Sequence, residues 1–244
     1  MVMDQMIQFM KQMSGKLNSN VYTSLPSQSD PSKIAYIRNL QRELKNKDTL
    51  QVPFDELEVV VFDIETTGFF PYKGDKILSI GAVKMQGERV LEDDVFYAPI
   101  YSEEAPPEEI EKLTGITKEQ LINAEPMGAV LKDFYQFIKS DTLVAHHSSH
   151  EKQFMKHATW SVLKTNFQHR IIDTAFLTKI IDPVSNLITL DECCDHYGIS
   201  IERRHHALYD SIATAKLWSK SIRQVKELGF SNLKDVYAHI ANLK

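Results

Sequence analysis

The strongest constraint on how this chain can fold is a junction: Val59-Val60-Val61-Phe62 runs directly into Asp63-Ile64-Glu65-Thr66-Thr67-Gly68. Four apolar residues in a row, three of them β-branched, are too few for a helix and read as a buried strand. Residues two apart on a strand point to the same side, so Asp63 and Glu65 can offer both carboxylates to one place. Such a pair repels itself unless something positive lies between, and magnesium or manganese, which prefer hard oxygen ligands, are the natural occupants. Acids at a strand end are also common as solvated features, so the pair needs support from elsewhere in the chain.

Downstream, short apolar runs alternate with helical periodicity. Residues 77–84 and 95–99 read as the next two strands of a meander, and Pro106-Pro107 opens a loop. Residues 108–113 and 117–122 are predicted short helices. A longer helix over 127–139 buries Val130, Leu131, Phe134, Phe137 and Ile138. A strand over 142–146, a helix over 149–158 capped by Ser149, and a strand over 171–173 follow. This order predicts an α/β fold, a mixed sheet flanked by helices. At 244 residues and 43% hydrophobic composition, the chain can bury one substantial core and carry a small appendage.

The appendage is the amino-terminal region. Met3, Met6, Ile7, Met10, Met13 and Leu17 fall at helical spacing, and Asp30-Pro31 starts a second helix with Ile34, Ile37, Leu40 and Leu44 on one face. The polar stretch 18–29 links them. The division predicted is a helical extension over 1–52 and a main domain over 53–244. The methionine stripe suits packing on the chain's own domain, or an adaptable protein-binding surface.

A net charge of -5 does not advertise a nucleic-acid binder. Residues 1–50, however, hold seven Lys/Arg against four acids, and metals bound in a carboxylate nest reverse the local sign. Adjacent Cys193 and Cys194 cannot staple the fold, and packing is the simpler role for them. With no signal-peptide pattern at the start and no apolar run near the roughly 18 residues of a membrane span, a cytoplasmic location is expected and a membrane is not.

The second polar constellation is His205-His206-Ala207-Leu208-Tyr209-Asp210, entering a packed helix through Trp218. Asp210 near a helix start can face a metal, and His205 in the preceding loop can reach the same site. The plainer reading is a first-turn acid favoured by the helix dipole beside a surface histidine. A third cluster, His146, His147 and His150, has imidazoles that suit zinc but no fourth ligand at recognisable spacing.

Taken in order, F-D-I-E-T-T-G at 62–68, L-T-G-I-T at 113–117, V-A-H at 144–146, I-D-T at 172–174 and H-x-A-L-x-D at 205–210 resemble the DEDDh exonucleases, the group that contains the proofreading epsilon subunit of bacterial DNA polymerase III. The resemblance covers roughly residues 58–222 and leaves 1–52 outside. It implies a ribonuclease-H-like fold and a 3′-to-5′ exonuclease acting on the single-stranded 3′ end of DNA or RNA. It further implies two divalent cations, Mg2+ or Mn2+, held by Asp63, Glu65, Glu151 and Asp210, and His205 as the general base that activates water. Thr66, Thr67, Gly68, Leu113 and His146 would border the substrate. An unperturbed histidine titrates near pH 6.5, so a rate rising through that range is expected of His205.

One position departs from the family pattern. Where H-N-x-x-F-D is usual, this chain has His146-His147-Ser148-Ser149-His150-Glu151, so Glu151 brings the same charge on a side chain longer by one methylene. Two readings of other classes stand beside the enzyme: a nucleic-acid-binding module with a weakened metal site, and an interaction protein that uses the amino-terminal helices to hold a protein partner.

Overall fold

The computed structural model describes residues 48–182, 184–185 and 187–242. The two amino-terminal helices, and with them most of the 1–52 extension, lie outside the described residues.

Strand β1 (Glu58–Thr66) carries on past the apolar run and takes in both acids. Its two faces serve two cores. Val60, Phe62 and Ile64 pack with Val130, Leu131 and Phe134 of helix α3 (Met127–Ile138), and Val59 and Val61 pack with Ala215, Trp218 and Ile222 of helix α7 (Ala207–Glu227). Period two therefore puts Asp63 and Glu65 on the α7 side.

Strands β2 (Ile77–Gln86) and β3 (Arg89–Pro99) form the antiparallel meander, while β4 (Thr142–Ala145) and β5 (Ile171–Asp173) extend the sheet in parallel on the other side of β1. The strand order is β3-β2-β1-β4-β5. Expected at 95–99, β3 instead begins at Arg89. Its first half, Arg89 to Asp94, holds Val90 and Leu91 among four charged residues, because it is an edge strand with a wet face, and the charges mask the apolar signal.

Helices α1 (Glu108–Thr114) and α2 (Lys118–Ile122) precede α3, and a Thr117/Gln120 capping box starts α2. After β4, helix α4 (Ser149–Leu163) runs beyond its expected end at 158 and stops at Lys164, whose left-handed φ of 52° breaks it. Helices α5 (Ala175–Ile181), α6 (Leu190–Tyr197) and α8 (Leu233–Asn242) complete the layers. Cys193 and Cys194 are buried with Leu190, Ala213 and Leu217, as the packing reading expected. Among the described residues, no helix is long and apolar enough to cross a membrane.

One contact fixes where α7 begins. Gly81 on β2 lies opposite Asp63 in the sheet, and a Cβ built there would fall 2.2 Å from the Ala207 carbonyl carbon and the Leu208 amide nitrogen. Only a residue without a side chain lets the first turn of α7 rest on the sheet beside Asp63. Gly81→Ala should therefore cost on the order of 1–3 kcal/mol of stability through overpacking. It should also lift the turn that carries Asp210, so calorimetric Mn2+ affinity falls with the melting temperature. A Gly81→Ala protein with wild-type melting and wild-type Mn2+ affinity would show that this contact does not position the helix.

Candidate active site

Asp63 and Glu65, turned toward α7 by the pleat of β1, meet Asp210 in the first turn of that helix. One carboxylate oxygen from each lies within 4.8 Å of the others, and among the described residues this is the one such group able to hold a metal ion. Burial raises the Asp63 pKa well above the usual carboxylate range, and the charges of Asp210, Glu65 and Glu151 add to it. Glu65 is pushed up to about 8, by burial and then by repulsion from Asp210. Asp210, also raised by burial, reaches only about 6 because Arg204 and the His205 backbone N–H favour its charged form.

Arg204 is the counter-charge. Its guanidinium pairs with Asp210 Oδ2 through Nη1 and donates from Nε to Asp191 Oδ1 at 2.8 Å. The same Asp210 oxygen accepts the His205 backbone N–H at 3.1 Å. Asp210 Oδ1, by contrast, is buried with no hydrogen-bond partner, and so is Glu151 Oε2. Orphaned buried carboxylate oxygens are costly. Hard, anionic and unsatisfied, these donors fit magnesium or manganese.

The opposite wall is the start of α4. Its N-cap residue, Ser148, makes no side-chain cap. Asp173 at the end of β5 takes over, accepting the Ser148 N–H at 2.8 Å and the Ala175 N–H at 3.0 Å. One carboxylate thus ties the starts of α4 and α5 to the sheet. Glu151, in the first turn of α4, is buried. Burial, with Asp173 and Glu65 nearby, holds its pKa well above the ordinary value. It shares the cavity with the three converging acids without being one of them.

His146, at the end of β4, is buried and engaged at both nitrogens. Nε2 donates to the Ile188 carbonyl at 3.0 Å, which leaves Nδ1 to accept from the Thr174 hydroxyl at 2.6 Å. The neighbouring His147, in the left-handed region at φ 59°, also bonds the Ile188 carbonyl. These two rings are thus directed at a backbone carbonyl. His205 has φ 58°, a conformation histidine tolerates better than most residues. Burial and the adjacent Arg204 charge push its pKa down to about 4, so it is neutral over the whole physiological range. A rate rise through titration of His205 near pH 6.5 is accordingly not what this environment provides.

Asp63, Glu65, Thr66, Gly68, Leu113, His146, Glu151, His205 and Asp210 all line one cavity of about 450 Å3. Thr67 does not. Its hydroxyl accepts the Lys76 N–H and its own N–H reaches the Lys76 carbonyl, which closes the turn after β1. Arg204 and Phe69, which sequence reasoning missed, also line the cavity, as do His150, weighed from sequence only as a zinc ligand, and Asp173 of the I-D-T motif. The basic pair Arg203-Arg204 directly before His205 was a readable signal for the first. Phe69 carries none, because only the fold brings its ring against His150.

The sequence model of the RNase T exonuclease family matches residues 60–218. A DNA polymerase III subunit epsilon-like protein of Rhodobacter capsulatus is 30% identical over 78% of this chain and 27% of its own length. A PolC-type DNA polymerase III of Clostridium perfringens is 36% identical over 71% of this chain and 12% of its own. The chain therefore spans about a quarter or less of these curated relatives. Among solved structures, the nuclease domain of 3′hExo, described as a DEDDh family member bound to rAMP, superposes with a TM-score of 0.60 at 19% identity, covering 70% of this chain and 92% of that one. That likeness establishes the fold.

The raised carboxylate pKa values make a prediction about stability. The folded protein retains protons that an unfolded chain releases near pH 4, so its stability falls as pH climbs toward the folded-state values, about 6 for Asp210 and about 8 for Glu65. His146, His150 and His205, held neutral by burial with pKa values near 4, act in the opposite direction below pH 6.5 and are constant above it. In chelator, then, the melting temperature should drop from pH 6.5 to 8. Saturating Mn2+ should abolish the drop and Asp63→Asn should reduce it. A flat or rising profile in chelator, unchanged by Asp63→Asn, would mean these acids are not under mutual strain.

Proposed function

Because the chain belongs to the RNase T exonuclease family, we propose that it is a 3′-to-5′ exonuclease that hydrolyses the terminal phosphodiester of a single strand and releases nucleoside 5′-monophosphates. The observation that carries this reading is the convergence of Asp63, Glu65 and Asp210 in one cavity with His205 on its wall. A divalent metal pair, when bound, would polarise the phosphodiester and lower the pKa of a bound water. Asp63, Glu65 and Asp210 would hold it, with Glu151 as the outlying fourth carboxylate. His205, neutral and tied by its backbone to Asp210, would accept the proton of the attacking water. Thr66, Gly68 and Leu113 border the space left for the terminal nucleotide, whose volume is in the range of small-ligand sites. Thr67 supports the turn from behind, and His146 holds the segment around Ile188 in place.

DNA is the first substrate to test, because both sequence relatives carry the name of a DNA polymerase III. RNA is the second, given the AMP-bound structural neighbour. A cytoplasmic location fits a chain with two buried, unpaired cysteines.

With Mn2+ and then Mg2+, purified protein should shorten 5′-labelled single strands one nucleotide at a time. Asp63→Asn and Asp210→Asn should fall to background. His205→Ala should lose about 10²- to 10⁴-fold, the usual worth of a general base, while His206→Ala, whose ring stacks on Tyr97 outside the cavity, should lose little. Wild-type turnover in both aspartate variants would rule out this site.

Glu151→Gln keeps the shape and removes the charge, so activity should drop steeply, whereas Glu151→Asp should be better tolerated. Manganese should rescue the aspartate variant more than magnesium, which demands near-ideal octahedral geometry. Full activity in Glu151→Gln and Glu151→Ala alike would remove Glu151 from the metal site.

A further inference from the structure

We propose that Arg203 is a positioning residue that clasps two walls of the cavity together, holding the Leu113 wall against the His205 wall so that the space for the terminal nucleotide keeps its width. The inference rests on the exonuclease reading and deepens it. Helix α1 supplies Ile110, Leu113 and Thr114 to the cavity, and the segment just before α7 supplies Arg204 and His205. Arg203 crosses between them. Its Nη2 donates to the carbonyl of Thr114, the residue after Leu113, at 3.2 Å. That carbonyl closes the carboxyl end of α1, where the helix dipole favours a cation. Gly115 makes room for the contact. It ends α1 in the left-handed region at φ 69°, and a Cβ built on it would fall 2.5 Å from Arg203 Nη2. A side chain at 115 would push the guanidinium off the carbonyl and strain the turn as well.

The two walls are not equally anchored, and the difference says what the clasp does. Residues 204–206 are tied down without Arg203. Arg204 pairs with Asp191 and Asp210, the His205 N–H reaches Asp210 at 3.1 Å, and the His206 ring stacks on Tyr97 of β3 at 4.4 Å. Helix α1 has less to hold it. It is 7 residues long, follows Pro107 with no side-chain cap, and packs through Ile110 against Leu78, Ile116 and Leu121, while Leu113 stays 41% exposed at the cavity. The hydrogen bond from Arg203 therefore secures the end of α1 to a segment that is already fixed. Its loss should weaken the grip on the terminal nucleotide and spare the chemical step, whose groups keep their own supports.

The test is a double-mutant cycle on the full chain with Mn2+. Binding of a 5′-fluorescein oligothymidylate with phosphorothioate links, which resists hydrolysis, is followed by anisotropy, and kcat and KM are measured on the unmodified strand. Arg203→Met should raise Kd and KM about three- to tenfold, the worth of one hydrogen bond, with kcat within about twofold of wild type on that same reasoning. Arg203→Lys, which keeps a donor and the charge, should recover most of the affinity. Gly115→Ala should weaken binding when Arg203 is present and add little in Arg203→Met, since the strain at 115 is common to both backgrounds and cancels in the cycle. Losses that simply add, or a fall in kcat at unchanged KM, would overturn the clasp. A salt dependence of affinity shallower by about 0.7 in log–log slope in Arg203→Met would make Arg203 a phosphate contact and overturn it too. Failure of the wild-type chain to hydrolyse any oligomer with either metal would sink the exonuclease reading, while the binding cycle would still decide the clasp.

Discussion

Everything around the site answers to one electrostatic problem: Asp63, Glu65 and Asp210 are buried together and repel one another. Burial and mutual repulsion push their pKa values up, Glu65 to about 8. A flexible scaffold would relax this by letting one acid swing to solvent. Here the acids stand on regular elements anchored by apolar packing. Asp63 and Glu65 continue a strand whose preceding residues are fully buried on both faces, and Asp210 opens a helix pinned by Trp218, Ile222 and Val225. The close seat of α7 on Gly81 removes the remaining freedom. Core packing thus carries the cost of a site that is unfavourable in the absence of cations.

Arg204 relieves part of that cost and couples two functions in doing so. Bridging Asp210 and Asp191, its guanidinium keeps Asp210 nearer its ionised form than Glu65. The same charge, one residue from His205, disfavours the imidazolium and helps hold that ring neutral. A neutral histidine beside an ionised carboxylate is the pair of protonation states that the proposed metal binding and water activation would both require. The backbone reinforces it, since the left-handed turn at His205 also delivers the N–H that Asp210 accepts.

What the sequence made legible follows from locality. The pleat alone put Asp63 and Glu65 on one side, and the ordered motifs brought Asp210 and His205 to them. The parallel half of the sheet was readable because its short strands are continuously apolar. The first half of β3 was not, since an edge strand with a solvated face carries charges that look like loop. The histidine was expected neutral, but with a titration near 6.5; its lower pKa was hidden because burial, the larger cause, belongs to the fold and not to the local sequence. The use of Asp173 as a borrowed helix cap was equally hidden, because the local Ser148-Ser149-His150-Glu151 run reads as an S-x-x-E capping box whereas the cap bond comes from another strand.

The substitution at Glu151 becomes intelligible on the same terms. A carboxylate in the first turn of α4 is favoured by the helix dipole whatever its length, so the position keeps its charge under either acid. An aspartate there has little reach beyond its own turn. The extra methylene of glutamate carries the carboxylate farther from the helix, and its Oε2 is buried in the cavity without a hydrogen-bond partner. Asp63, Glu65 and Asp210 converge on one point, whereas Glu151 stands in the same cavity outside that group.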